Sequence, residues 1–290
     1  MNRIGTLAIG VAAIAGSAAA QVGLAGPVTV YSDPKRLGDG SARVYAELEG
    51  DGAPRVIGVS FDRGMLAGLP TMPNTWSRCF DKNGNGQIDA HGECNGDYEL
   101  RFPLPAELLQ GSRTPFRWVS INWNPMGHPA PAPPVWAVPH YDFHFYIMEQ
   151  EAGAKLRPGS CGELIDCDDY KRARIPVPAK YVNADHIDVG AAVPDMGNHL
   201  IDSKSPELVI NGREFTHTFI FGAYDGHVTF YEPMITLAYF QTRPDLCVPI
   251  KQPQAWETGG YYPTQYCIRY LAEGERFTVS LESFVLRTAD

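Results

Sequence analysis

Short runs of β-branched and aromatic residues, each broken within a few positions by Gly, Pro, Asn or Asp, most narrow what this chain can fold into. They extend from Arg43 to Glu49, Arg55 to Asp62, Phe116 to Trp123 and His140 to Met148. Further runs are Phe215 to Gly222, His227 to Glu232, Ile235 to Phe240, Gln265 to Leu271 and Arg276 to Leu286. Gly50-Asp51-Gly52 and Asp225-Gly226 supply the positive-φ residues that tight hairpins require. Twenty-four prolines argue against long helices. Only Pro105 to Gln110 reads as a helical turn or two. The pattern predicts an all-β fold, an antiparallel sandwich or barrel with long loops and few short helical turns. No linker divides residues 21–290, which read as a single β-rich domain. The proline-rich connection from Pro125 to Pro139 is long and stiff, and either shapes a site or crosses the surface.

Met1 to Ala20 has the marks of a secretory signal peptide: Arg3, an apolar run from Ile4 to Ala15, and small residues Ala18-Ala19-Ala20. Cleavage before Gln21 would remove Arg3 from the 24 basic residues, leaving 23 against 33 acidic ones and a net charge of about −10. No cationic stripe is present, so nucleic acid is a poor partner. No later apolar stretch is long enough to span a membrane. A secreted or periplasmic location is expected. Six cysteines fall into three close pairs, Cys79 with Cys94, Cys161 with Cys167, and Cys247 with Cys267. That clustering favours local disulfides, each worth roughly 2–4 kcal/mol, over a thiolate metal site, which would want C-x-x-C spacing.

Asp81-Lys82-Asn83-Gly84-Asn85-Gly86-Gln87-Ile88-Asp89 matches the opening of a calcium loop, D-x-[DN]-x-[DN]-G. Oxygens of Asp81, Asn83, Asn85 and Asp89 and the carbonyl of Gln87 would surround the ion. The twelfth position is Gly92 rather than Glu, so Glu93 closes the site only if the loop bulges. The competing reading is a Gly/Asn-rich turn without an ion.

The run Pro139-His140-Tyr141-Asp142-Phe143-His144-Phe145-Tyr146 carries the most chemistry. On a strand, alternate residues share a face, so His140, Asp142 and His144 project together while Tyr141, Phe143 and Phe145 occupy the other side. Positions two apart lie about 6.7 Å from one another and positions four apart roughly 13 Å. His140 and His144 therefore share one ion only if the strand bends sharply or the ion lies between long-reaching rings; otherwise one joins the metal with Asp142 and the other supports it or meets substrate. His128, His199 and Glu232 sit in comparable surroundings elsewhere. A divalent transition-metal site built from His140, His144, His199, Glu232 and His128, with Asp142 close by, is one reading. A buried hydrogen-bonded network that only fixes the fold is the other. His186, His217 and His227 read as surface or solvent-facing positions, and His91 as an exposed loop residue. There is no G-x-S-x-G, G-x-G-x-x-G or Walker motif.

Several short motifs occur together: Trp123-Asn124-Pro125-Met126-Gly127-His128-Pro129, Pro139 to Tyr146, Pro194-Asp195-Met196-Gly197-Asn198-His199, and Phe230-Tyr231-Glu232-Pro233-Met234-Ile235-Thr236. With Phe215 to Gly222 and Gly260 to Thr264, their order and character resemble an uncharacterised family of exported bacterial β-rich proteins, a domain of unknown function. The resemblance spans roughly Pro105 to Phe284. It implies that His128, His140, Asp142, His144, His199 and Glu232 form one ensemble, and it brings no activity with it. The calcium-like loop and the cysteine pairs look like additions.

The expected function is that of an exported metal-binding protein. Hydrolytic or lyase chemistry through metal-bound water, with Glu232 or Asp142 as general base, or a cupin-like oxygenation fits the ligand set. The alternative is a non-catalytic binding or structural envelope protein, with self-assembly through exposed aromatics as one form. An unknown small molecule, or none, would be its partner.

Overall fold

The computed structural model describes residues 26–111, 113–128 and 132–290. The expected signal peptide, residues 1–20, lies outside the described residues, as does Pro129. Along the chain run β1 (Val28–Tyr31), β2 (Lys35–Leu37), β3 (Gly40–Leu48), β4 (Pro54–Asp62) and β5 (Tyr98–Pro103). Next come β6 (Trp118–Asn124), β7 (His140–Tyr146), β8 (Pro158–Cys161), β9 (His186–Val193), β10 (Gly197–Asp202) and β11 (His217–Tyr224). The last strands are β12 (His227–Thr236), β13 (Asp245–Pro249), β14 (Gly260–Tyr262), β15 (Gln265–Leu271), β16 (Arg276–Glu282) and β17 (Val285–Arg287). The helices are short: α1 (Ala106–Gly111), α2 (Gln150–Gly153), α3 (Cys167–Ala173), α4 (Pro206–Val209) and α5 (Leu237–Gln241).

One large sheet has the order β1-β3-β4-β16-β15-β13 with β2 beside β3, a second runs β5-β6-β7-β12-β11-β10-β9, and β14 pairs with β17 in a small third one. All their pairings are antiparallel. Neither large sheet closes on itself, so the architecture is a sandwich rather than a barrel. Val44, Val59, Phe61, Phe277 and Val279 of the first sheet meet Val119, Ile121, Tyr141, Phe143, Phe145 and Tyr231 of the second in one hydrophobic core. Phe61 stacks on Phe143 at 6.1 Å across the layer. Each such side chain contributes roughly 1.5–3 kcal/mol through burial.

All seven residues of β7 are buried. The aromatic face of β7 fills the core. The His140–Asp142–His144 face would meet solvent in a two-layer sandwich, but the loops after β4 and β7 lie over it. That third layer is pinned by the disulfides Cys79–Cys94 and Cys161–Cys167, and Cys247–Cys267 joins β13 to β15. The three local pairings expected from spacing are those observed.

Several local expectations change. The runs His227 to Glu232 and Ile235 to Phe240 are not two strands: β12 continues through Pro233 to Thr236, and the remainder turns into α5. Pro233 has no N–H for the ladder. On the β7 side the pairing skips from Tyr231↔Phe145 to Met234↔Asp142 while keeping register. His186 is buried rather than superficial, and His217 is half-buried with Nδ1 2.8 Å from the Tyr266 hydroxyl. His91 and His227 are exposed.

Candidate metal centre

Strands β6, β7, β12 and β10 of one sheet assemble the site. Cross-strand register places Ser120 opposite His144, Asn122 opposite Asp142 and Asn124 opposite His140. On the other side of β7, β12 brings in Glu232. Beyond it, β10 pairs His199 with Gly222 of β11. Gly222 matters because a Cβ there would fall 2.2 Å from the Phe230 ring. Its absence lets Phe230 lie 4.9 Å from the His144 ring and 5.0 Å from that of His199, fixing both.

The six side chains gather as two neighbouring triads, His128–His140–Asp142 and His144–His199–Glu232, whose candidate ligand atoms lie within 4.8 Å of one another in each. In the first, Asp142 Oδ2 is 3.3 Å from His128 Nε2 and Oδ1 is 3.2 Å from His140 Nε2. In the second, Glu232 Oε1 is 3.4 Å from His144 Nε2 and Oε2 is 3.7 Å from His199 Nε2. The residues expected around one ion are thus divided, and His140 and His144 belong to different groups. The strand does not bend to unite them.

The hydrogen bonds decide which nitrogens are free. His140 Nδ1 lies 2.6 Å from the Val138 carbonyl and His199 Nδ1 lies 2.9 Å from that of Ala191, so each Nδ1 carries the proton. His144 Nδ1 faces Ser120 Oγ at 3.4 Å. Their Nε2 lone pairs then point inward, the arrangement that orients imidazoles toward a metal. His140 Nε2, His144 Nε2, Asp142 Oδ1 and both Glu232 oxygens are buried and complete no hydrogen bond. So many orphaned acceptors in one place are costly without a cation.

Electrostatics separates the triads. Burial opposes ionisation of both Asp142 and His128. Attraction from His140 and then from His128 nonetheless holds Asp142 well below the usual carboxylate range, and Asp142 in turn raises His128 to about 9. In the second triad burial prevails. It pushes His144 down to about 3 and His199 to about 4. It raises Glu232 well above its ordinary value, with Asp142 and Glu163 adding repulsion. Without an ion, burial thus favours the neutral form of each member of the second triad.

A network backs these groups. Ser120 Oγ donates to Asn122 Oδ1 at 2.9 Å, and Asn122 Nδ2 donates to Asp97, which pairs with buried Arg78. Arg78 also meets Glu99 at 3.1 Å. Asn124 Nδ2 donates to Asp142 Oδ2 at 2.7 Å.

A 30 Å³ cavity bounded by Asp142, His144, His199, His128, Asn95 and Glu163 lies against both triads. Asn95, His128 and Glu163 also wall a 480 Å³ outer cleft bordered by Met126, His91 and Leu164. Glu163 was not singled out in the sequence. It sits inside the Cys161–Cys167 loop, where nothing local marks it as more than a disulfide-loop residue. Burial, with Asp142 nearby and against the pull of His128, raises its carboxyl to about 7.

The calcium-like loop forms one wall of that outer cleft through Lys82, Ala90, His91 and Gly92. Asp81 accepts from Gly84 and Gly86 amides at 2.7 Å, Asn83 from Asn85 at 2.9 Å, and Asn85 from Gln87 at 2.8 Å. Asp89 accepts from His91 at 2.9 Å. Glu93 turns back into the loop, its carboxylate accepting from Lys82, Asn83 and Asp89 amides at 3.0–3.1 Å.

Comparison of the chain with protein-family models, with curated proteins and with solved structures returns no match.

Proposed function

We propose that this is an exported metalloprotein that binds a divalent transition ion at the His144–His199–Glu232 triad and uses an ion-bound water in hydrolysis or a lyase reaction. The observation that carries the reading is the placement of this triad against a small cavity that adjoins the outer cleft. Each triad offers two imidazoles and one carboxylate, leaving coordination positions that closed structural sites do not have. His144 and His199 face the inner cavity, and that cavity shares a wall with the outer cleft. A bound ion would lower the pKa of its water. Glu232 and Asp142, read from sequence as bases, lie within the triads as ligand candidates. Asp97 is neutralised by Arg78. Glu163 is then the carboxyl group lining the cavity that belongs to neither triad, and we assign it the proton transfer. The His128–His140–Asp142 triad holds a second ion or, with His128 protonated, positions an anionic substrate group.

Export is supported by the three disulfides; among the described residues no helix is long and apolar enough to cross a membrane. Calcium at residues 81–93 would stiffen the cleft wall.

The test is substitution with Co²⁺, followed by azide. A visible spectrum that requires His199 and shifts with azide supports an exchangeable coordination position. A spectrum indifferent to azide would make the ion structural. Failure of Co²⁺, Zn²⁺, Mn²⁺ and Ni²⁺ to bind at all would end the metal reading.

A further inference from the structure

A second pocket, remote in chemistry from the triads, opens at the seam where β11 of one sheet meets β13 and β15 of the other. Its volume is 260 Å³, and α4 and the segment before it close one side. That is near the lower end of small-molecule sites, roughly 300–1,000 Å³. Besides Thr218, three buried polar side chains line it: His186, Ser205 and Glu207.

Their hydrogen bonding is incomplete. Neither ring nitrogen of His186 and not the Oγ of Ser205 completes a hydrogen bond within the protein. Ser205 precedes α4, yet its side chain caps nothing. Glu207 commits one oxygen to the Trp136 indole at 3.3 Å. The nearby Lys251 ammonium is already matched by Asp185 at 2.7 Å and Asp202 at 2.8 Å, so it does not neutralise Glu207. On the opposite wall Phe219 and Tyr266, stacked on each other at 5.3 Å and largely buried, give the pocket an apolar side.

A neutral imidazole and a hydroxyl each donate and accept, whereas a carboxylate only accepts. Groups of both kinds facing an aromatic pair complement a ring that bears hydroxyls on its edge and C–H bonds on its face. Buried polar groups left unpaired are costly, and hydroxyls would satisfy all three at once. Burial holds His186 near 4, which keeps its ring neutral and able to do both.

We propose that this pocket binds one neutral sugar ring, with His186, Ser205 and Glu207 taking its hydroxyls and Phe219 and Tyr266 bordering its apolar side. The site is independent of the metal reading and does not need an ion.

Calorimetry on chelator-treated protein tests it, with D-glucose, D-mannose and N-acetyl-D-glucosamine as probes. At least one should bind with a millimolar or tighter Kd. Ser205→Ala and Glu207→Gln should each weaken it by about tenfold or more while leaving the fold intact by circular dichroism. The Ser205 variant removes a single oxygen, so it covers the case in which the Glu207 variant does not fold. No heat from any of the three sugars with folded protein overturns the proposal. So does binding that survives both substitutions, or competition by acetate or inorganic phosphate, which would mark a site for anions.

Discussion

His144 Nε2 stands 3.4 Å from Glu232 Oε1, both are buried, and neither atom completes a hydrogen bond. Glu232 therefore burdens the ion-free fold. Its folded pKa lies above the unfolded one. Its stabilising contribution is thus full below the unfolded pKa and lost as pH rises through the folded value. Glu232→Gln should raise the ion-free melting temperature at pH 8, with the advantage shrinking toward pH 4.5. The same variant should lose metal-induced stabilisation at that triad. Equal melting curves at pH 8 would show that the carboxyl is better solvated than its surroundings indicate.

Ion uptake should release protons. Burial raises the Glu232 carboxyl and Asp142 raises His128 to about 9, so both hold their protons more tightly than usual, while His144 and His199 are lowered to about 3 and about 4. A cation entering either triad displaces one proton, so affinity should rise by up to about tenfold per pH unit below those values. Calorimetry in buffers of different ionisation enthalpy reads the number directly. No proton release at pH 7 would refute these protonation states.

Gly222 is expected to be intolerant. A methyl group there collides with Phe230, whose ring holds His144 and His199. Gly222→Ala should cost about 1–3 kcal/mol in urea denaturation, as overpacked cores do. It should also weaken metal binding, although the residue touches no ion.

Arg78 is buried with Asp97 and Glu99 as its counter-charges. Arg78→Ala leaves these carboxylates unpaired and should destabilise by about 3–5 kcal/mol. Because Asp97 links through Asn122 and Ser120 to His144, metal affinity should fall as well. A variant of ordinary stability would show that water replaces the guanidinium.

Much of β7 was legible in advance. Period-two alternation shows that His140, Asp142 and His144 oppose Tyr141, Phe143 and Phe145, because side-chain direction on a strand is a local property. The same rule, through the rise per residue, made sharing of one ion by the two imidazoles conditional, and the expectation of a single site for both is the part that the structure corrects. The continuation of β12 through Pro233 was not legible. A proline usually marks an edge or an end of a strand, and only pairing with β11 on the other side carries the strand past it. Glu163 and Asp97 gave no local signal either; a carboxyl group in a loop reads the same whether it meets water or a cavity.

The sequence by itself determined the β class, the alternation of faces and the three short-range disulfides, because each depends on residues close along the chain. Which imidazole joins which carboxylate was decided by tertiary structure. His128, His199 and Glu232 reach β7 only through strand order and loop packing. The entropy of closing such loops varies slowly with their length, so spacing does not choose among partners, and burial of the shared core does.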